Sequence, residues 1–223
     1  MSGNQLYIYS AFFSIFCCFL TSLIGLIKIN NLKQFKFLLF YPLISGIQIS
    51  ISVYFDFVNY NPVTINKINT SSINLFLLLE FAIIYRFYNL LFPSSIANRI
   101  IKFTTLIYSF AIILYWILEK SIFALELNLF ITHSAIILTP AFFYIIQLLK
   151  MSNAIQLSNN PSFWVTIGII FYFGCTTPLF LMKDFIFDKE GSIEEDGLYA
   201  INFICYSIMF MFISKGYLCK QAK

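Results

Sequence analysis

Seven long apolar runs restrict the folds that this chain can adopt. A helix needs about 20 mainly apolar residues to cross a hydrocarbon core of about 30 Å, and each run is close to that length. The runs are continuously apolar and lack the alternation of a membrane barrel strand. They cover residues 6–27, 37–57, 72–92, 100–118, 123–149, 163–182 and 198–214. The pattern predicts an all-α fold, a seven-transmembrane helix bundle that forms a single integral membrane domain over residues 1–223.

The composition excludes an ordinary soluble domain. Of the 223 residues, 60% are hydrophobic and 11% are charged, whereas about a quarter of the residues in a soluble domain carry charge. The basic residues lie at the ends of the apolar runs, where they act as anchors and topology signals. Because they do not form a basic patch, we expect the lipid bilayer as the surrounding partner of the chain and no binding of nucleic acid.

The charge distribution predicts an orientation. With the N-terminus outside, the cytoplasmic segments contain ten of the fourteen Lys and Arg residues. An excess of Lys and Arg marks the cytoplasmic side of a membrane protein, so we expect the N-terminus outside and the C-terminus in the cytoplasm. The opposite side then receives nine of the ten carboxylates, which are Asp56, Glu119, Glu126, Asp184, Asp188, Glu190, Glu194, Glu195 and Asp196.

The tenth carboxylate, Glu80, lies near the middle of the third apolar run. An ionisable group at this depth is costly unless it is neutral, paired or hydrated, and it normally faces the bundle interior or a cavity. Three functional roles are open for Glu80: a proton carrier, a ligand for a cationic group, or a general acid. The structural alternative is a carboxyl group that bonds a neighbouring helix.

Three further polar side chains share roughly the depth of Glu80 when residues are counted from the helix ends: Gln48, His133 and Tyr172. Each belongs to a different run, so the four residues predict a polar layer that forms a ligand or proton pocket. His133 is the only histidine, and a lone histidine is often a hydrogen-bonding packing residue. A Glu80–His133 pair would be most informative, because each group would tune the protonation of the other.

A polar stripe follows one face of the second run. Ser45, Gln48 and Ser52 lie at helical spacing, and such a stripe either lines an aqueous path or joins two helices. Asn202, near the start of the seventh run, has a similar outer depth and is a further pocket candidate.

The sequence carries no standard catalytic or metal-binding motif. It lacks H-E-x-x-H, G-x-S-x-G and Walker A patterns, so no metalloprotease, serine hydrolase or nucleotide site is indicated and the catalytic residues stay unknown. Five cysteines without a C-x-x-C pair, together with one histidine, indicate neither a disulfide framework nor a zinc site. We therefore expect no metal and no cofactor.

The start of the sixth run carries a resemblance to a known group of proteins. The segment reads Asn160-Pro161-Ser162-Phe163-Trp164, followed by Gly168 and by Tyr172-Phe173-Gly174. It resembles a group of small, uncharacterised seven-helix integral membrane proteins of Bacteroidota. The resemblance implies a bacterial cytoplasmic (inner) membrane and association with a membrane sensor kinase, and it assigns no catalytic residues.

These observations favour a non-enzymatic integral membrane protein, a sensory or accessory module that acts through a partner protein. Two alternatives stay open. One is a small proton-coupled transporter that uses Glu80, and the other is an intramembrane lipid-modifying enzyme with Glu80 and His133 as acid and base. The ligand or substrate and the oligomeric state are open as well.

Overall fold

The computed structural model describes residues 3–28, 33–57, 62–92, 96–118, 127–151, 157–182 and 193–219. Within this part of the chain the longer elements are all helices. They are α1 (Gly3–Lys28), α2 (Lys33–Leu38), α3 (Phe40–Phe57), α4 (Pro62–Leu91), α5 (Ile96–Leu118), α6 (Leu127–Met151), α7 (Pro161–Leu181) and α8 (Ile193–Leu218). The predicted all-α class is confirmed.

Six stretches of the described chain are long and apolar enough to cross a bilayer. They are Gln5–Lys28, Phe35–Phe55, Asn69–Leu91, Phe130–Lys150, Pro161–Leu181 and Gly197–Leu218. Helix α5 contains a shorter apolar stretch, Lys102–Leu114. The chain is thus a multi-pass membrane protein by helix length and composition. The first residues of the predicted fifth run, 123–126, lie outside the described residues, and so do the side chains of the nine predicted outer carboxylates.

Large apolar side chains cover the exposed helix faces. On α1, Phe12, Phe16 and Leu23 are exposed, and on α5 Leu106 and Phe110 are exposed. A soluble protein rarely exposes contiguous apolar patches of this kind. Contact between these apolar faces and lipid is energetically favourable, which supports the membrane assignment.

The second predicted run is interrupted at Leu39, a turn residue between α2 and α3. Pro42 has no N–H to donate to the carbonyl of Leu38, so the helical hydrogen bond that would bridge the break is missing. The N–H of Leu39 still makes the helical bond to the carbonyl of Phe35, at 3.1 Å, and this bond completes the last turn of α2. The interruption is therefore a local consequence of the proline.

The chain packs as two compact units. The terminal unit contains Met1–Asn31 and Ala141–Lys223, and the central unit contains Leu32–Pro140. Helix α6 contributes its first part to the central unit and its second part to the terminal unit. The single integral membrane domain expected over the whole chain stays a prediction.

In the terminal unit, α8 packs against both α1 and α7. Thr21 Oγ1 of α1 donates to the carbonyl of Phe210 at 3.1 Å and lies 2.8 Å from Ser214 Oγ. Helices α7 and α8 approach closely where Gly168 meets Phe212. Small residues at such crossings let two backbones approach, which is the usual way in which membrane helices gain packing energy.

In the central unit, α2, α3 and α5 pack against α4. Tyr41 bonds Glu80, and Ser52 bonds Asn69. As the residue number rises along α3, it falls along α4, so the two helices are antiparallel. The paired residues are eleven positions apart on each helix (41 to 52 and 69 to 80), which is about three helical turns. One continuous face of α3 therefore lies along one face of α4.

Candidate functional site

Glu80 lies on α4 in the interior of the central unit, and its side chain is 2% exposed. Both carboxylate oxygens have partners from other helices. The hydroxyl of Tyr41 donates to Oε1 at 2.6 Å. Nε2 of His133 lies 3.0 Å from Oε2. We call Tyr41, Glu80 and His133 the carboxylate cluster.

Tyr41 brings α3 to the cluster and was missed by the sequence analysis. It lies directly before Pro42, at the start of α3, and its side chain is fully buried. A signal was present, because Tyr41 precedes Ser45, Gln48 and Ser52 at helical spacing and extends their stripe by one turn. A tyrosine is mostly apolar, however, and its hydroxyl position cannot be inferred from spacing alone.

His133 brings α6 to the cluster and has an exposed fraction of 0%. Its ring centroid lies 5.9 Å from that of Phe81 and 6.0 Å from that of Tyr108. Phe81 and Tyr108 also meet edge to face, with 4.9 Å between centroids. The pair of Glu80 and His133 is therefore enclosed by aromatic rings from α4 and α5, which exclude bulk water and strengthen the interaction between the two groups.

Gln48 is not a member of the cluster, although it was predicted at the same depth. Its Nε2 donates to Ser52 Oγ at 3.0 Å, and Ser52 Oγ donates to Asn69 Oδ1 at 2.7 Å. Gln48, Ser52 and Asn69 form a separate hydrogen-bonded group, which we call the polar seam. The predicted stripe on α3 thus joins α3 to α4 at two levels, the cluster and the seam.

Tyr172 and Asn202 belong to the terminal unit. The ring of Tyr172 packs on that of Tyr206, with 4.8 Å between centroids. Oδ1 of Asn202 is buried and has no hydrogen-bond partner among the described residues. Of the predicted pocket residues, the structure joins only Glu80 and His133 by a hydrogen bond in the described part of the chain.

The segment that begins with Asn160 has a clear structural role. Oδ1 of Asn160 accepts hydrogen bonds from the N–H groups of Ser162 at 2.9 Å and Phe163 at 3.4 Å, which caps α7. Pro161 occupies the first turn, where its missing N–H costs nothing. Trp164 Nε1 donates to the carbonyl of Ser158 at 2.8 Å. These contacts set the start of α7.

The same segment also holds the end of α8. The ring of Trp164 stacks on that of Phe212 at 6.0 Å, and Lys215 Nζ lies 5.8 Å from the centroid of the Trp164 ring. A β-carbon added to Gly216 would lie only 2.9 Å from the carbonyl oxygen of Pro161. The motif that carries the family resemblance is therefore a helix cap and a contact between α7 and α8.

In the described part of the chain, no three His, Cys, Asp or Glu side chains come together in a way that could hold a metal ion. All five cysteines are free thiols; Cys17, Cys18 and Cys205 are buried. The chemical groups gathered at one place are instead a carboxyl, an imidazole and a phenol. Such a group can bind, share and release protons.

No protein family, curated protein or solved structure matches this chain. The function is therefore argued from the carboxylate cluster itself.

Proposed function

We propose that this chain is a non-enzymatic integral membrane protein, a sensory or accessory module whose input is the protonation of the carboxylate cluster. The observation that carries the proposal is that one carboxylate holds two other helices through Tyr41 and His133. The exposed fractions of the three side chains are 0%, 2% and 0%. A change of charge at this position acts directly on the contacts between α3, α4 and α6.

Glu80 and His133 bury no net charge when the two groups share one exchangeable proton. The pair is then neutral overall, either as a carboxylate with an imidazolium or as a carboxylic acid with an imidazole. A second proton leaves a net positive charge in an apolar interior, which is costly. It also replaces the carboxylate acceptor of His133 by a neutral carboxylic acid. A second proton on the pair would therefore weaken the link between α4 and α6.

The proposal includes seven spans, with the N-terminus outside and the C-terminus in the cytoplasm. The length of α5, 23 residues, corresponds to about 35 Å of helix and supports a seventh span. The excess of Lys and Arg in the predicted cytoplasmic segments supports the orientation. The bacterial cytoplasmic membrane, and a sensor kinase or another membrane protein as the partner, follow from the resemblance of the Asn160–Trp164 segment.

A small proton-coupled transporter is the second candidate. The observation in its favour is the buried carboxyl–imidazole pair, because such pairs form proton relays in pumps and transporters. In a transporter, Glu80→Gln would abolish proton-coupled uptake by folded protein in vesicles. Uptake that persists in this variant would remove the candidate.

A lipid-modifying enzyme requires Glu80 and His133 within hydrogen-bond reach, and their 3.0 Å separation meets that requirement. It also requires both groups to touch a substrate. Their near-complete burial in the structure gives a lipid headgroup no access, so the geometry favours the sensory module over the enzyme.

Co-purification from native membranes tests the proposed function. The full chain is crosslinked in cells held at neutral or acidic external pH, and the recovered proteins are identified by mass spectrometry. We expect a partner whose recovery changes with pH for the wild type and for the control Tyr54→Phe, whose ring is 62% exposed on α3. In Glu80→Gln, which imitates the protonated carboxyl, recovery should not depend on pH. Failure to recover any partner, or an unchanged pH response in Glu80→Gln, would contradict the proposal.

A further inference from the structure

The surroundings of the carboxylate cluster differ toward the two ends of α4. Toward the start of α4, the α3–α4 contact is polar. Ser45 lies one turn from Tyr41 and is buried, and the polar seam lies beyond it. Gln48 is only partly buried, so the seam extends from the interior toward the surface. Hydroxyl and amide groups therefore lie along the α3–α4 contact over three helical turns, from Glu80 toward the start of α4.

Toward the end of α4, the face that carries Glu80 meets α2 instead of α3, and the side chains at this contact are apolar. Ile84 and Phe87 follow Glu80 by four and seven residues and lie on the same face of α4. The ring of Phe87 meets that of Phe35 edge to face, with 5.8 Å between centroids. Each side chain is at most 3% exposed. We call this group the apolar plug; it consists of Phe35, Leu38, Ile84 and Phe87.

We propose that protons reach Glu80 and His133 from the end of the central unit at which α4 begins, along the polar seam, and that the apolar plug closes the opposite end. This inference rests on the proposed function and adds a direction to it. Protons move along hydrogen-bonded oxygen and nitrogen atoms and ordered water, and buried water is stable only where several polar groups can bond it. The seam offers such groups, and the plug offers none.

The route along the seam is closed over part of its length. Ser45 Oγ donates to the carbonyl of Tyr41 at 2.7 Å, and α4 places Phe76 and Leu77 between the levels of Asn69 and Glu80. Leu77 is buried. Water therefore has to enter these two turns transiently, so proton exchange at the cluster is slow relative to exchange at the surface. In the orientation proposed above, the open end faces the outside of the cell.

Other titratable groups face the pair of Glu80 and His133 as well. Tyr41 reaches it from α3, and Tyr108 approaches it from α5 with a buried hydroxyl that has no hydrogen-bond partner among the described residues. On α4 itself, Tyr85 stacks on Phe81. The guanidinium of Arg86 is directed elsewhere, 5.3 Å from the centroid of the Phe37 ring. Among these groups, Glu80 and His133 are the two that the proposed function uses.

One-sided access also separates a sensor from a transporter. A transporter must expose its proton site to each compartment in turn, whereas a sensor of one compartment must not. A seam at one end and a plug at the other fit the sensor. The predicted property is a cluster that equilibrates with one compartment only.

The experiment uses His133, the only histidine of the chain, as a single-site probe. The full protein is labelled with 15N-histidine, purified with a histidine-free tag and reconstituted in sealed vesicles. The compartment that faces the start of α4 is identified with an impermeant maleimide on Lys67→Cys in a Cys219→Ser background. Solid-state NMR then follows the His133 nitrogen signals while the pH of one compartment is changed. We expect the signals to respond to the compartment at the start of α4 and not to the other.

Two matched variants test the route. Ser52→Ala interrupts the seam, whereas Ser50→Ala removes a hydroxyl that bonds the carbonyl of Gly46 within α3. Deuterium exchange at His133 should be about tenfold slower in Ser52→Ala, the effect of one lost hydrogen bond on a barrier, and unchanged in Ser50→Ala. Asn69→Ala should repeat the effect of Ser52→Ala.

The outcomes separate the inference from the proposed function. A response of His133 to the opposite compartment, or equal exchange rates in Ser52→Ala and Ser50→Ala, overturns the route while leaving a protonation-driven module in place. A response to both compartments overturns the route and favours the transporter. A His133 signal that responds to neither compartment overturns the route together with the proposed function.

Discussion

Oε2 of Glu80 lies 3.0 Å from Nε2 of His133, and this contact joins α4 to α6 inside an apolar helix bundle. The other oxygen, Oε1, accepts a hydrogen bond from the hydroxyl of Tyr41 on α3. A single carboxylate is therefore the shared acceptor for two neighbouring helices. Removing one partner of a buried carboxyl group is more costly than removing an exposed hydrogen bond, since the remaining polar atom is left without a partner and without water.

Tyr41→Phe removes one donor of the cluster without changing its shape. We expect a loss of about 1–2 kcal/mol of stability, above the ~0.6 kcal/mol average for side-chain hydrogen bonds between membrane helices, because the acceptor is a carboxyl group. Reversible unfolding in mixed micelles measures the change. The control is Tyr54→Phe on the same helix, whose ring is exposed. Equal stabilities of the two variants would show that the Tyr41 bond contributes nothing.

Asn160→Ala removes the cap of α7. Its Oδ1 accepts two backbone N–H groups of the first turn, that of Ser162 at 2.9 Å and that of Phe163 at 3.4 Å, and the Phe163 N–H also bonds the Asn160 carbonyl at 3.2 Å. We expect a loss of about 1 kcal/mol. The neighbouring, exposed Asn159 provides the control variant Asn159→Ala, which should leave stability unchanged. The measurement is the unfolding midpoint of each variant relative to the wild type. A shift of the same size in both variants would exclude capping as the cause.

Gly168→Ala introduces a methyl group between α7 and α8. The added carbon would lie 2.9 Å from Phe212 Cβ and 3.0 Å from the carbonyl oxygen of Met209. A backbone carbonyl cannot move aside as easily as the end of a flexible side chain, so we expect a loss of about 1–3 kcal/mol of stability. Gly174→Ala on the same helix meets nothing within 4 Å and should be neutral or slightly stabilising. A neutral Gly168→Ala would mean that the two helices are not closely packed there.

Cys219 follows α8 directly and is only partly buried. This burial raises the pKa of its thiol, while the nearby Lys215 ammonium acts in the opposite direction. Because the thiolate is the reactive form, alkylation at neutral pH should be slower in the folded protein than in the unfolded one, and it should rise as the pH increases. Lys215→Gln should slow it further. Peptide-resolved mass spectrometry measures the rates at Cys219; equal rates in the folded and unfolded protein would contradict this prediction.

Labelling of Cys219 with an impermeant maleimide also tests the proposed topology. In intact spheroplasts the thiol should be protected, and in inverted membrane vesicles it should react. The opposite result would place the C-terminus outside and would reverse the orientation. It would leave the local geometry of the carboxylate cluster unchanged.

The helical class and the approximate spans could be predicted because lipid imposes a simple rule on length and hydropathy. Six of the seven predicted runs correspond to helices that can cross a bilayer. The break at Leu39 was not predicted, although the sequence contains Pro42. A proline is tolerated in the first turn of a helix, and it can also end the helix before it. Local sequence does not decide between the two.

The carboxylate cluster could be predicted only in part. Depth along a helix is readable from the chain, and it placed Glu80 and His133 at one level. Depth does not specify which face of a helix meets which neighbour. Gln48 bonds Ser52 and not Glu80, and the hydrogen bond that Glu80 receives from α3 comes from Tyr41.

The sequence by itself determined that this chain is an all-helical membrane protein with an isolated acid in one of its spans, because burying backbone and apolar side chains in lipid leaves few alternatives. Only the tertiary structure decided what surrounds that acid. A hydrogen bond requires atoms from separate helices to meet within about 3 Å, and that meeting depends on helix rotation and packing over the whole central unit. For Glu80, the packing supplied a phenol and an imidazole.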